Sequence, residues 1–222
     1  MLYTFAVLQS PHTVVPDSAP EYQHYFGGDG LGLGVEGTSQ FARVLTLDLH
    51  DPKLSFLRFP ETMELPLVMD FAKGAVDYSV AGDGSIILHS QAAGEAESLL
   101  ERALPRHGAR LEPMSYEQYR AAIFASSGPD ESFLSEEDAA ALKSLGESYT
   151  QVGGSHARAT AYRPYCANPT CAGYGGQVTQ VLATIGQTPA PGVSLEFLPY
   201  DPCIEFTFCK SCHSISGAIV PD

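Results

Sequence analysis

Four cysteines near the end of the chain have the spacing of a metal site. Cys166 and Cys171 are separated by four residues, and Cys209 and Cys212 are separated by two. Zinc binds four soft or borderline donors at the corners of a tetrahedron, and a tight turn can present two of them at little entropic cost. We therefore predict that Cys166, Cys171, Cys209 and Cys212 hold one Zn²⁺ ion in a zinc-ribbon-like site.

Two further residues lie near enough in the sequence to compete for the ion. Cys203 could replace Cys209, and His213 could replace Cys212. Because the four paired cysteines already complete a closed set, we interpret Cys203 as a thiol without a metal at the start of a strand. If the four cysteines were only small buried core residues, their burial would be explained but their paired spacing would not. Four thiolates leave no position open to water, so we expect a structural site rather than a hydrolytic one.

Other motifs in the sequence do not carry a catalytic prediction. Residues 32–37 satisfy the pattern G-x-G-x-x-G, but we expect a strand after them, whereas anion binding at such a loop requires a helix N-terminus. Asp48, His50 and Asp51 form a polar cluster, which we interpret as an exposed turn before Pro52 rather than as an acid–base group. An enzyme with a non-metal active site between the two predicted sheets therefore remains the alternative to a binding protein.

Composition and charge narrow the class of protein. Of the 222 residues, 44% are hydrophobic and 17% are charged, which is typical of a globular protein with a core. The 26 acidic and 12 basic residues give a formal net charge of −14. This charge disfavours nucleic acid and membrane surfaces and favours a basic protein or peptide as partner. We find no signal-peptide pattern and no transmembrane stretch, so we expect a cytoplasmic protein with reduced thiols.

The elements that must position the cysteines follow from the hydrophobic pattern. It predicts strands over 2–8, 45–49, 55–59, 65–71, 75–80 and 85–89, and again near 178–185, 194–198, 204–208 and 215–220. Glycine turns at 72–74 and 82–84 predict that the strands between 65 and 89 form an antiparallel meander. Helical spacing and capping residues predict three helices between 95 and 145, the second and third capped by Ser115 and Ser135.

We therefore expect an α+β fold with two related antiparallel β-rich units joined by a helical segment. The N-terminal β-rich unit spans residues 1–92, the helical connector 93–147 and the zinc-binding β-rich unit 148–222, and the three can form one compact domain. A Gly-Gly pair precedes an apolar strand in both β-rich units, at Gly27-Gly28 and at Gly153-Gly154. We interpret the aromatic residues beside the first pair, Tyr22, Tyr25 and Phe26, as core residues rather than as the lining of a groove.

The C-terminal unit resembles a known family. Residues 151–154 (QVGG), the first cysteine pair, the strand at 181–185 (VLATI) and residues 205–212 (EFTFCKSC) resemble the YwqG-like family of bacterial proteins. That family is itself similar to the eukaryotic programmed-cell-death-two-like proteins. The resemblance covers residues 148–222 and, more loosely, 27–90, and the chain lacks the aromatic residue that the family has after the Gly-Gly pair. It implies two related sheet units and a binding or chaperone-like role, linked to toxin immunity or protein handling.

Overall fold

The residues that the structure describes lie mostly in strands. The computed structural model describes residues 12–28, 41–55, 57, 59, 63–71, 73–89, 104–115, 135, 137, 150–152, 166–175, 179–186, 189–190, 193–195 and 203–220. These form eleven strands: β1 (His12–Pro16), β2 (His24–Phe26), β3 (Phe41–Asp48), β4 (Glu64–Asp70), β5 (Ala75–Val80), β6 (Ile86–Leu88), β7 (His107–Pro113), β8 (Thr150–Val152), β9 (Thr179–Ile185), β10 (Cys203–Cys209) and β11 (Ile215–Val220). None of the described residues belongs to a helix that could cross a membrane.

The strands pair in the order β4-β3-β2-β7-β1-β8-β9-β10-β11-β5-β6. Every pair is antiparallel, and two antiparallel halves of the sheet meet where β1 pairs with β8. Strand pairing joins the predicted N-terminal unit directly to the predicted C-terminal unit, because β5 of the first pairs with β11 of the second. The division of the chain at residues 92 and 147 remains a prediction.

Buried side chains from both halves of the sheet form one hydrophobic core. Tyr78 on β5 reaches across this core to the edge strand β4, where its hydroxyl donates to the Pro66 carbonyl at 2.9 Å and accepts from the Val68 N–H at 3.2 Å. Burial raises the pKa of Tyr78. A side chain of one half thus fixes backbone groups of the other, and the sheet curls so that β4 approaches β5.

Close packing also fixes the hairpin formed by β10 and β11. Phe206 lies opposite Gly217, and a Cβ atom at position 217 would fall 2.7 Å from the Phe206 ring. Only glycine leaves room for the ring to lie across β11. This hairpin carries the second cysteine pair at its turn, so core packing holds that turn in place.

Seven of the predicted strands are confirmed within a few residues, namely those near 45–49, 65–71, 75–80, 85–89, 178–185, 204–208 and 215–220. Ser55, Leu57 and Phe59, which are the described residues of the strand predicted at 55–59, lie outside any strand, so the prediction is not supported for this segment. A helical turn, Pro52–Leu54, stands before it, because proline favours the first helical position and the Asp51 carboxylate accepts from the Lys53 N–H at 2.9 Å. The meander is also wrong in part, since β5 pairs with β6 and β11 but not with β4.

The predicted helical segment contains a strand. Residues 107–113 form β7, where buried Ala109 and Leu111 alternate with polar residues, and this period of two is the pattern of a strand. In the described part of the segment only Glu137 is helical, so the α+β expectation is not supported there. Most residues of the three predicted helices lie outside the described residues, as do the predicted strand at 2–8 and residues 32–37. Ser194 and Leu195 lie outside any strand, and the rest of the strand predicted at 194–198 is not described.

Candidate metal centre

The structure brings the four predicted cysteines together. Their Sγ atoms all lie within 4.8 Å of one another. The Sγ atoms of Cys166 and Cys212 are 3.6 Å apart, and those of Cys171 and Cys209 are 3.9 Å apart. A tetrahedral site with Zn–S bonds of about 2.3 Å has sulfur–sulfur edges of about 3.8 Å. The two short contacts each join one cysteine of the first pair to one of the second, as a shared ion requires.

A compact loop, residues 166–175, presents the first pair. The Asn168 side chain accepts from the Thr170 N–H at 3.0 Å, and the Asn168 carbonyl accepts from the Cys171 N–H at 3.0 Å. The loop closes where the Gly175 N–H donates to the Cys166 carbonyl at 3.1 Å. Gly175 has a φ of 71°, which glycine adopts without strain. Local turn chemistry therefore brings Cys166 and Cys171 to one side of the loop.

The second pair lies at the turn between β10 and β11. The N–H of Cys209 donates to the Ser214 carbonyl at 2.8 Å, and the His213 N–H donates to the Cys209 carbonyl at 2.8 Å. His213 reverses the chain with a φ of 59°, a left-handed conformation that is uncommon for residues other than glycine. Cys212 consequently points back toward Cys209, and both face the loop that carries the first pair.

Backbone and side-chain groups surround the sulfur atoms. The Gly173 N–H donates to Cys171 Sγ at 3.2 Å, and the Ser211 N–H donates to Cys209 Sγ at 3.4 Å. The donor lies two residues after the cysteine in both cases. The Gly173 N–H favours the thiolate form of Cys171, but burial and the neighbouring thiols outweigh it and raise the pKa of Cys171. The Ser214 hydroxyl oxygen, buried beneath the cluster, lies 3.4 Å from Cys166 Sγ and 3.2 Å from Cys212 Sγ.

Burial and hydrogen bonding shift the pKa values of two of the four thiols in opposite directions. Burial raises the pKa of the Cys166 thiol to about 12. Burial also opposes ionisation of Cys212, but hydrogen bonds with Ser214 and with the thiols of Cys171 and Cys166 outweigh it and lower the pKa of Cys212 to about 7. A divalent cation shared by the four sulfur atoms would favour the thiolate form of every one of them. The donor set therefore fits a cation such as zinc.

The two competing donors lie outside the cluster. Cys203 and Cys209 occupy opposite ends of β10, and six residues of strand span roughly 20 Å. The His213 ring packs against the Phe59 ring at a centroid distance of 5.2 Å and is not among the grouped ligand atoms. The prediction that Cys203 is not a ligand agrees with this geometry. Among the described residues, the cluster consists of four cysteines and does not include His213.

A second polar cluster surrounds His24, which the sequence analysis overlooked. The Asp48 N–H donates to His24 Nδ1 at 3.0 Å, so the proton is on Nε2, which donates to Asp51 Oδ2 at 3.0 Å. His24 and Asp51 are each 1% exposed. The interpretation of this region as an exposed turn is therefore wrong for Asp51. Because both ring nitrogens are engaged, the arrangement ties β2 to the end of β3 and leaves His24 no free nitrogen for proton transfer.

Asp48 completes this cluster. Its carboxylate accepts from the backbone N–H groups of Gln23 at 2.9 Å and His50 at 3.0 Å, and from His50 Nδ1 at 2.7 Å. Burial opposes ionisation, but these hydrogen bonds outweigh it and lower the pKa of Asp48. The carboxylate is buried whereas His50 is exposed, so the predicted exposed turn holds for His50 alone.

A row of buried polar residues crosses the second half of the sheet and was also missed. Cross-strand pairing places the following side chains on one face of β9, β10, β11 and β5: Thr184, Glu205, Thr207, Ser216 and Asp77. Each is at most 7% exposed. Alternating polar residues in a strand usually indicate a solvent-facing side, so the sequence offered no signal that this face is covered.

Comparisons of the chain with protein-family models, curated proteins and solved structures found no match.

Proposed function

We propose that this protein is a binding module stabilised by one structural Zn²⁺ ion on Cys166, Cys171, Cys209 and Cys212. The observation that carries the proposal is the set of sulfur positions, whose two short separations of 3.6 Å and 3.9 Å fit the edges of a tetrahedral tetrathiolate site. Thiolate donors in this geometry select zinc or iron over harder cations. Zinc is the ion that a closed structural site with four cysteine ligands most often holds.

The proposed ion would act as a brace, not as a catalyst. Four protein thiolates fill the tetrahedron, so no position is left for water or substrate. The ion would join the loop at 166–175 to the β10–β11 hairpin, and 37 residues separate Cys171 from Cys209 in the sequence. Binding free energy at such a site contributes directly to folding.

The proposed ligand of the module is a basic protein or peptide, bound in the cytoplasm. A net charge of −14 attracts a cationic partner by long-range steering. The sheet has β4 at one edge and β6 at the other, and the difference between them supports pairing of a partner's strand with β6. The Tyr78 hydroxyl occupies backbone groups of β4, whereas β6 pairs with β5 alone among the described strands and carries Ile87, 52% exposed. An extended peptide can add to an edge of this kind. The chaperone-like or toxin-immunity role implied by the family resemblance belongs to this proposal.

Two measurements test the proposal. Elemental analysis of untagged protein is expected to give one zinc per chain, and well under one metal ion per chain would contradict it. Affinity purification from the native host, at low and at moderate salt, is expected to recover a basic protein whose binding weakens as salt rises. Ile87→Lys should reduce its recovery. Met63→Lys, which adds the same charge at an exposed residue beside β4, should not.

The alternative function is an enzyme with a non-metal active site. One observation favours it: the carboxylates of Asp77 and Glu205 are both buried on the same face of the sheet, separated by β11. Buried carboxylates are common at acid–base sites. Turnover of a small molecule that Glu205→Gln abolishes, at unchanged zinc content and stability, would favour the enzyme over the binding module.

A further inference from the structure

Two arginines flank one tyrosine in the first half of the sheet. The guanidinium carbon of Arg106 lies 3.9 Å from the centroid of the Tyr25 ring, and that of Arg43 lies 5.6 Å from it. Arg43 Nη1 also donates a hydrogen bond to the Tyr25 hydroxyl. Tyr25 is buried, Arg43 is half-buried and Arg106 is exposed, so the group extends from the protein interior to the surface.

Within the part of the chain that the structure describes, no carboxylate balances the charges of these two arginines. In the described ranges, the arginine and lysine ion pairs are those of Lys53, Lys73 and Arg110. Arg43 and Arg106 make no such pair there, although the chain has more than twice as many acidic as basic residues. Contact with an aromatic ring supports a guanidinium but does not neutralise it. Two uncompensated positive charges beside one ring form a local electropositive site on an acidic protein.

Two buried polar atoms next to this site lack hydrogen-bond partners among the described residues. One is Arg43 Nε, and the other is Thr46 Oγ1. Thr46 lies directly opposite Tyr25 in the β2–β3 pair, so both side chains are on the same face of the sheet. A buried polar group without a partner destabilises the folded state, and an oxyanion beside Arg43 would supply acceptors.

The first Gly-Gly pair explains how the arginines are held. Gly27 donates to the Val44 carbonyl and Gly28 to the Leu104 carbonyl, both at 2.9 Å. A Cβ at position 27 would lie 2.1 Å from the Pro105 carbonyl oxygen, so glycine permits the segment before Arg106 to pack directly against β2. Gly28 has a φ of 107°, and a Cβ there would lie 3.4 Å from the Tyr25 ring. The pair therefore lets the segment before Arg106 approach β2, which positions Arg106 over Tyr25.

We propose that Tyr25, Arg43 and Arg106 form a binding site for a doubly charged oxyanion, the phosphate group of a small molecule. A planar guanidinium presents parallel N–H donors that match phosphate or carboxylate oxygens. Two such groups carry two positive charges, which a dianion neutralises and a monocarboxylate does not. The exposed Arg106 gives the ligand access from solvent, while Arg43 and the Tyr25 hydroxyl receive it deeper in the site. This site lies apart from the cysteine cluster and does not depend on zinc.

Calorimetric titration of the full chain with small anions tests the site. At low ionic strength, inorganic phosphate and sulfate should each bind saturably at one site per chain, and acetate should bind much more weakly. Arg106→Gln and Arg43→Gln should each weaken phosphate binding by about tenfold or more, the loss expected for a charge-assisted hydrogen bond. Arg110→Gln is the matched control, because Arg110 lies on the neighbouring strand β7 but pairs with Asp17 and Glu112. Its phosphate affinity should equal that of the wild type.

Three outcomes would overturn the proposal. They are the absence of saturable phosphate and sulfate binding to the wild type, equal affinity in Arg106→Gln, and an equal loss in Arg110→Gln, which would indicate a diffuse charge effect. Arg106 is exposed, so its variant should fold, and its thermal unfolding should be compared with that of the wild type. Arginine side-chain NMR of the wild type adds a second readout: phosphate should shift the guanidinium signals of Arg43 and Arg106 and leave that of Arg110 unchanged.

Discussion

The cysteine cluster and the His24 cluster are both groups of polar side chains held by the ends of strands, but they differ in what their atoms still have to bind. In the His24 cluster, each ring nitrogen and each carboxylate contact is completed within the protein, as in the 3.0 Å hydrogen bond between His24 and Asp51. In the cysteine cluster, four sulfur atoms approach one another with only weak donors around them. Sulfhydryl groups gain little from such contacts unless a cation joins them.

The difference explains why one group is a candidate site and the other is structural. A satisfied network stabilises the fold and offers no donor to a ligand. A set of sulfur atoms that converge with only weak donors around them is an arrangement that could hold a metal ion. Spacing in the sequence distinguished these cases for the cysteines only, because paired cysteines are rare whereas Asp and His near a strand end are common.

Loss of the metal should have the largest effect. Cys209→Ser removes a fully buried cysteine of the proposed zinc site, so zinc content should fall well below one per chain and stability by several kcal/mol, on the order of the folding free energy that structural zinc supplies. Cys203→Ser is the control and should change neither. The measurements are elemental analysis and thermal unfolding with and without a zinc chelator, which should destabilise the wild type but not Cys209→Ser. Equal losses of melting temperature in the two serine variants would show that the ligand set is wrong.

Breaking the His24 cluster should destabilise the fold and leave the metal in place. Asp51→Ala removes the acceptor of the buried His24 Nε2–H and the cap of the turn at Pro52–Leu54, with an expected cost of about 2–4 kcal/mol. His50→Ala, at an exposed member of the same cluster, should cost less than about 1 kcal/mol. Urea unfolding gives both values, and elemental analysis should find unchanged zinc. A loss of zinc in Asp51→Ala would mean that the two clusters are coupled.

Much of the second half of the sheet could be predicted from the sequence because its strands carry strong local signals. β5 and β11 were predicted to the residue, since their apolar runs end at glycine or polar turns. The cysteine site was predicted for a similar reason, because two local turns each fix a pair. Partners distant in sequence were not predictable in this way. The pairing of β5 with β11 instead of β4, and the burial of His24 between two strands, depend on contacts that no local pattern records.

The strands β2, β7 and β8 show a further limit. β2 has only three residues. β7 follows a segment with clear helical spacing, and the alternation of apolar and polar residues within β7 is a weaker signal. Their pairing within the sheet, not their intrinsic preference, makes them strands. The Arg43–Tyr25–Arg106 group was missed for the same reason, since it joins residues of β2 and β3 to one just before β7.

A milder change should separate metal affinity from stability within the cysteine cluster. Ser214→Ala removes the hydroxyl that lies beside Cys166 and Cys212 and should lower zinc affinity by about 10–100-fold, the usual effect of losing a group that supports the ligands. Ser211→Ala is the control, because Ser211 is exposed and acts on Cys209 through its backbone N–H, which alanine keeps. Competition with a chromogenic chelator measures both affinities. Equal affinity in the two variants would assign Ser214 to packing alone.

The smallest expected effect is a pH dependence confined to the His24 cluster. The hydrogen bonds that lower the pKa of Asp48 below its ordinary 3.8 stabilise the ionised form in the folded protein only. Their contribution is therefore complete above that ordinary pKa and is lost as the pH falls through the lower pKa of the folded state. In Asp48→Asn this contribution is absent, so the stability difference from the wild type should be constant near neutral pH and should shrink in acid. Glu21→Gln, which removes one exposed charge nearby, controls for net charge and should show no such convergence. Unfolding in urea across this pH range gives the two curves, and parallel curves for wild type and Asp48→Asn would mean that the carboxylate contributes through its shape and not its charge.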